Sequence, residues 1–150
     1  MQFLEKPKDI RMQNATRPSS RQTVGVSLVD GDSTIRHARQ LMLRSEDYDV
    51  RSYATCAALL ADPRSRDYLC IILDLEMEDI DGPALLREMR ASGWRGKAIL
   101  LDGLDPGRAM LIEAERHGDT VFARNIGDRA LLTAIEASID HGWAGWNAEG

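Results

Sequence analysis

Five short β-rich apolar runs alternate along this chain with five stretches of helical spacing, and three of the runs stop at an aspartate. The clearest is Leu69-Cys-Ile-Ile-Leu-Asp74, where continuous apolar sequence meets charge within one residue. A run this short, apolar on every position, fits a strand buried on both faces. Asp74 then sits at the carboxyl end of that strand, the edge where open α/β sheets bind ligands. A carboxylate there can act as a nucleophile toward phosphorus.

The remaining elements follow from the same alternation. Val24–Val29 reads as the first strand, ending at Asp30. Asp32 or Ser33 can cap a helix with Ile35, Ala38, Leu41 and Met42 on one face. Asp49–Tyr53 is a second strand, Thr55–Ala61 a short helix, and Asp62-Pro-Arg-Ser65 a loop. After the third strand, Gly82-Pro83 opens a helix with Leu85, Leu86 and Met89 inward, and Ser92-Gly93 closes it. Ala98–Leu101 is the fourth strand, ending at Asp102. A helix over 108–117 stops at Gly118, Thr120–Ala123 is the fifth strand, and Asp128–His141 is the last helix. Strands alternating with helices predict an α/β fold, a parallel sheet covered on both faces. With five strands the flavodoxin-like doubly wound order 2-1-3-4-5 is favoured, which sets the ends of strands one and three side by side.

Composition narrows the function classes. The 150 residues suit one domain with a single core. No apolar stretch approaches the ~20 residues of a membrane helix, and the N-terminus lacks a signal-peptide core. The reading is a cytoplasmic protein with no membrane partner. Cys70 reads as a small core residue, and Cys56 is too isolated for a metal motif or a disulfide. Net charge is −5 overall, with residues 1–22 contributing +3 and the remainder −8. An acidic body disfavours direct contact with nucleic acid, which needs clustered Lys and Arg. Residues 1–22, with Pro7, Pro18, Ser19 and Ser20, read as a flexible leader, in which Met12 is an alternative start; 23–141 form the domain and 142–150 a C-terminal tail. His37, His117 and His141 share no ligand spacing. Trp143 and Trp146 either fold back on the body or anchor a partner.

Asp30, Asp74 and Asp102 converge at one sheet edge, with Arg124 after the fifth strand. Carboxylates gathered in this way repel one another unless a cation lies between them, and Mg²⁺ suits a few carboxylates plus phosphate oxygens and water.

From Thr23 to Ile139 the chain resembles the receiver domain of bacterial two-component response regulators. Asp74-Leu-Glu-Met-Glu-Asp-Ile-Asp-Gly82 matches the family's Asp-x-x-Met-Pro-x-x-Asp-Gly loop, with Glu78 for proline. Val29-Asp30 matches the acidic end of the first strand, and the flanking Arg-Ser-Tyr-Ala (51–54) looks most like receivers of the LuxR-type nitrogen-fixation regulators. The resemblance implies Asp74 as phosphoacceptor, Asp30, Asp74 and the Glu76 carbonyl as Mg²⁺ contacts, and a histidine kinase or phosphotransfer protein as donor. It implies a signalling module rather than an enzyme in the usual sense, reaching a downstream regulator through the 106–141 face. A single-domain regulator without the helix-turn-helix output domain of those regulators, acting by protein–protein interaction, is expected.

The departures predict an impaired site. Where the family has a second acid after the first, this chain has Gly31; Asp32 is one position late and free to cap the helix. Asp102 stands where the family has a Thr or Ser hydroxyl. An extra anion beside a phosphoryl oxygen costs about 1–4 kcal/mol at ~4 Å. Arg124 replaces the family's lysine and can pair with Asp102 or Asp74 through its planar fork. The aromatic switch position is Val121, with Phe122 one step displaced. Two outcomes stay open: slow phosphorylation of Asp74, or a phosphorylation-independent pseudo-receiver locked by its own ion pairs. A rival from another class is weaker. Asp30-Gly-Asp-Ser-Thr34 also resembles the nucleophile motif of haloacid dehalogenase-like phosphatases, with Asp30 attacking and Asp32 as acid/base. Such an enzyme needs a lysine from later in the fold, and Lys97 precedes the fourth strand.

Overall fold

In a computed structural model, the structure describes residues 24–76, 82–103 and 107–149, with side chains as far as Ile139. Five strands form one parallel sheet: β1 (Gly25–Val29), β2 (Asp49–Tyr53), β3 (Cys70–Asp74), β4 (Lys97–Asp102) and β5 (Thr120–Ala123). The helices are α1 (Ser33–Ser45), α2 (Cys56–Ala61), α3 (Gly82–Ala91), α4 (Arg108–His117) and α5 (Asp128–Glu149). The strand order is β2-β1-β3-β4-β5, as expected for the doubly wound arrangement. The register aligns Val29 with Leu73, Leu73 with Leu100, and Asp74 with Leu101. The chain therefore leaves β1, β3 and β4 at neighbouring points of one edge.

Alternating side chains divide the core into two layers. Val29, Ile71, Leu73 and Leu100 pack with Leu59, Leu85, Leu86 and Met89, the buried faces of α2 and α3. Val26, Leu28, Cys70, Ile72, Ile99 and Leu101 pack with Leu43 of α1 and Leu131 and Ile135 of α5. Both faces of the central strands are dry, which is why these strands read as continuous apolar runs.

Local chemistry fixes the element ends. Asp32 caps α1, accepting from the Thr34 and Ile35 amides at 2.9 and 3.1 Å. Thr55 caps α2. Gly118 closes α4 at φ 77°, a left-handed turn that Gly adopts without steric cost. Trp94 is buried, and its Nε1 donates to the Tyr68 carbonyl, tying the α3–β4 connection under β3.

Several boundaries differ from the sequence reading. On α1, Ala38 and Leu41 face solvent, and the buried positions are Arg39 and Leu43. The helix is turned so that a basic side chain, Arg39, enters the interior alongside Leu43. The loop at Asp62–Ser65 is instead the start of a 3₁₀ turn, Pro63–Asp67, with Asp62 as its cap and Pro63 preset for a first turn. Leu69 lies half-exposed before β3 rather than within it. The last helix runs past His141 to Glu149. Gly142 and Gly145 weaken a helix by about 1 kcal/mol each without terminating it. The leader, residues 77–81 of the motif loop, and the side chains of Trp143 and Trp146 lie outside the described residues.

Candidate functional site

The carboxyl edge of the sheet gathers the acids as the strand pattern implies. Asp30 follows β1 and is fully buried; Asp74 ends β3 and is 2% exposed; Asp102 ends β4. Each is held there by the backbone. The Asp30 amide donates to the Tyr53 carbonyl at 3.1 Å, extending the β1–β2 ladder by one residue. The Leu75 amide donates to the Leu101 carbonyl at 2.8 Å, which fixes the turn leaving Asp74. The Arg124 amide donates to the Asp102 carbonyl at 3.0 Å, so β5 delivers Arg124 to the same edge.

Both buried carboxylates are half satisfied by amides two residues ahead. Asp30 Oδ1 accepts from Asp32 at 2.9 Å and Asp74 Oδ1 from Glu76 at 3.0 Å. Their second oxygens face arginines. Asp74 Oδ2 accepts from Arg124 Nη2 at 3.1 Å. Asp30 Oδ2 lies 3.5 Å from Arg39 Nη1 without a hydrogen bond. Burial pushes the Asp30 carboxyl above its ordinary range; the Asp32 amide and Arg39 pull it back, while the neighbouring Asp74 pushes it further up. Each buried carboxylate thus faces a guanidinium with its second oxygen.

The remaining positions fall as follows. Gly31 is exposed, and Asp32 spends its Oδ1 on the α1 cap. Val121 packs with the layer that contains Leu100 and Ala114, whereas Phe122 packs with the opposite layer beside Leu131. Successive strand residues point to opposite faces, so Phe122 cannot take the place of Val121. Lys97 begins β4 at the far edge of the sheet and donates to the His117 carbonyl at 2.8 Å. The lysine that a phosphatase built on Asp30 would need is therefore not supplied by Lys97.

The sequence reading missed three contributors. Arg36 Nη1 donates to the Asp30 carbonyl at 2.8 Å, and Arg39 Nη2 donates to the Arg124 carbonyl at 2.9 Å. Positions 35, 39, 42 and 43 share helical spacing, a signal the sequence carries although 39 is basic. The third is the Glu76 side chain: Oε2 accepts from the Gly103 amide at 2.8 Å, joining the loop after β3 to the loop after β4 beside Asp74.

A divalent cation fits this donor set. Asp30 Oδ2 is buried with no hydrogen bond, Asp74 stands beside it, and Mg²⁺ commonly takes only one or two carboxylates plus water. Among the described residues no group of three His, Cys, Asp or Glu side chains is arranged to hold a metal. The fit is thus of two carboxylates, with the Glu76 carbonyl as the remaining candidate donor.

Residues 26–136 match the response regulator receiver domain family. The chain is 28% identical over 119 residues to the transcriptional regulatory protein FixJ of Azorhizobium caulinodans, covering 79% of this chain and 56% of that protein. It therefore spans little more than half the length of that relative. Among solved structures, the FixJ-N crystal structure superposes with a TM-score of 0.65 at 25% identity, covering 79% of this chain and 94% of that one. The receiver domain of a LuxO repressor protein from Vibrio parahaemolyticus superposes with a TM-score of 0.72 at 19% identity, covering 85% and 98%. Among the described residues no helix is long and apolar enough to cross a membrane.

Proposed function

The chain belongs to the response regulator receiver family, and from that membership we propose that it accepts a phosphoryl group at Asp74, slowly, in a site whose charges are already paired. Receiver domains are signalling modules phosphorylated by histidine kinases, and the family typically uses Mg²⁺. The observation that carries the reading is the buried Asp74 carboxylate at the sheet edge, with Asp30 beside it and Arg124 on its Oδ2.

One Asp74 oxygen attacks the phosphorus of a phosphohistidine from a kinase or phosphotransfer protein. The P–O bond forms as the P–N bond breaks, and the imidazole leaves with the electron pair and takes up a proton from solvent. Bound Mg²⁺, held by Asp30, Asp74 and the Glu76 carbonyl, would supply positive charge against the phosphoryl oxygens. Arg124 must first release Asp74 Oδ2 and can then pair with the phosphoryl group. Asp102, where relatives carry a hydroxyl, opposes the added negative charge. The new charge then biases the face within 106–141, where Leu111 and Ile112 of α4 are exposed. Val121 is too small for an aromatic switch, so the signal passes through the Arg124 turn.

A second reading is favoured by the Arg124–Asp74 pair itself: a phosphorylation-independent pseudo-receiver in which this contact permanently stands in for the phosphoryl group. Intact-mass spectrometry after incubation with acetyl phosphate and Mg²⁺ separates the two. A single phosphoryl adduct in wild type, absent from Asp74→Asn, supports the acceptor. No adduct supports the locked form, and an adduct that persists in Asp74→Asn but not in Asp30→Asn revives the phosphatase.

A further inference from the structure

Arg39 has no part in the phosphoryl chemistry proposed above, yet among the described residues it is the only basic side chain that is buried. A guanidinium carried into the interior is costly unless its donors are used. Arg39 uses one end well, Nη2 to the Arg124 carbonyl at 2.9 Å. Its other end is not used well: Nη1 is buried, makes no hydrogen bond and stands 3.5 Å from Asp30 Oδ2, itself buried and without one.

The two unsatisfied atoms define what the place is for. Asp30 Oδ1 is taken by the Asp32 amide, so Oδ2 is the oxygen left to bind a cation. A divalent ion entering the pair of carboxylates needs that oxygen, and Arg39 already faces it. A dication on Asp30 Oδ2 would stand within a few ångströms of the Arg39 guanidinium in a poorly solvated site, so like-charge repulsion requires the guanidinium to withdraw. We propose that Arg39 is an internal competitor of the divalent cation: guanidinium and metal alternate on Asp30, and the bond from Arg39 to the Arg124 carbonyl couples that choice to the turn that holds Asp74.

The coupling follows from the covalent chain. Arg124 presents its carbonyl to Arg39 and its side chain to Asp74. While Arg39 is in place, one residue of α1 braces the turn whose arginine covers Asp74. When metal displaces Arg39, the Arg124 carbonyl loses its donor and the turn is freed to let the Arg124 side chain move. Metal binding would thus prepare Asp74 rather than only neutralise it. The inference rests on the reading of Asp30 and Asp74 as a metal-binding pair.

The test measures metal affinity with no phosphoryl donor present. Mn²⁺ binding to the full chain is followed by electron paramagnetic resonance for wild type and Arg39→Met. The variant is expected to bind about tenfold more tightly or better, as befits the loss of a charge-assisted competitor. Equal or weaker binding, or no binding by either protein, overturns the proposal. A measurement on wild type alone guards against a variant that fails to fold. In nuclear magnetic resonance the Arg39 guanidinium should show hindered rotation without metal and free rotation at saturating Mg²⁺, while amide exchange at Ile126 rises. Persistent hindrance at saturation overturns the proposal whatever the variant does. A beryllofluoride adduct at Asp74 with no effect of Arg39 on metal affinity sinks this inference and leaves the acceptor reading intact. Tighter metal binding in Arg39→Met without any adduct does the reverse.

Discussion

Arg124 and Asp74 meet through Nη2 and Oδ2 at 3.1 Å, although 50 residues separate them in the chain. The Asp74 side chain is 3% exposed and the Arg124 side chain 36%. The pair is therefore asymmetric: Asp74 depends on it for charge compensation more than Arg124 does. Removing the arginine leaves a buried carboxylate short of a donor, beside the equally buried Asp30.

Arg124→Ala should accordingly destabilise the fold by about 1–3 kcal/mol, the cost of an orphaned buried polar group. Asp74→Asn should cost less, because it also relieves repulsion with Asp30. The double variant should be less destabilised than the two single effects added together. Urea denaturation of the four proteins checks this; strict additivity would mean that the contact carries no energy.

Restoring the family pattern should restore chemistry. Gly31→Asp with Asp102→Thr adds a carboxylate for metal and exchanges a repulsive charge for a hydroxyl. If the lost repulsion is worth ~1.4 kcal/mol in the transition state, phosphoryl uptake from acetyl phosphate rises roughly tenfold. Phosphate-affinity electrophoresis over time reads the rate. An unchanged rate would show that something other than these two departures limits the site.

The Glu76–Gly103 contact spans the site from loop to loop, and two independent substitutions should open it. Glu76→Ala removes the acceptor. Gly103→Ala places a Cβ 2.7 Å from Oε2, so the flexible carboxylate end must move away. Either change should speed amide exchange at residue 103 and leave stability within about 0.5 kcal/mol, since both positions are exposed. Exchange that stays slow in both variants would mean that the Gly103 amide is protected by other means.

Alkaline pH should weaken the fold through three buried groups, Cys70, Tyr53 and Tyr68, all raised first by burial. Burial pushes the Cys70 thiol up to about 12 from 9.0. Burial first, and then the Asp62 carboxylate that accepts its proton, raise Tyr53 above 10.0. Groups raised in the folded state favour folding fully below their unfolded values, and that advantage is lost as pH rises toward the folded values. Stability should fall progressively above pH 9, and Tyr53→Phe should remove its own share of the decline while Tyr68 keeps contributing. Guanidinium melts from pH 7 to 11 provide the measurement.

The sheet was legible in the sequence because its signal is local. Runs such as Cys70–Leu73 are apolar on every position only when both faces are covered, and the aspartates mark the edge where that cover ends. Asp30, Asp74 and Arg124 could be placed together for the same reason. Arg39 could not, because helical spacing around an arginine is ordinarily read as a solvent face. Its partners, Asp30 and the Arg124 carbonyl, belong to other elements, so apolar periodicity pointed to Ala38 and Leu41 instead. The Glu76 side chain was missed for a related reason: its partner is a backbone amide beyond β4, and amides carry no sequence mark. The extension of α5 past His141 shows that Gly142 and Gly145 do not end a helix where helix-forming Ala144, Ala148 and Glu149 follow.

Fluorine nuclear magnetic resonance of beryllofluoride bound to the full chain tests Asp74 as acceptor most directly. The ligand mimics a phosphoryl group on a carboxylate and requires no slow transfer step. Wild type should give a bound signal that depends on Mg²⁺ and is lost in Asp74→Asn. No bound signal at saturating ligand and metal, or one that survives Asp74→Asn, would overturn the assignment.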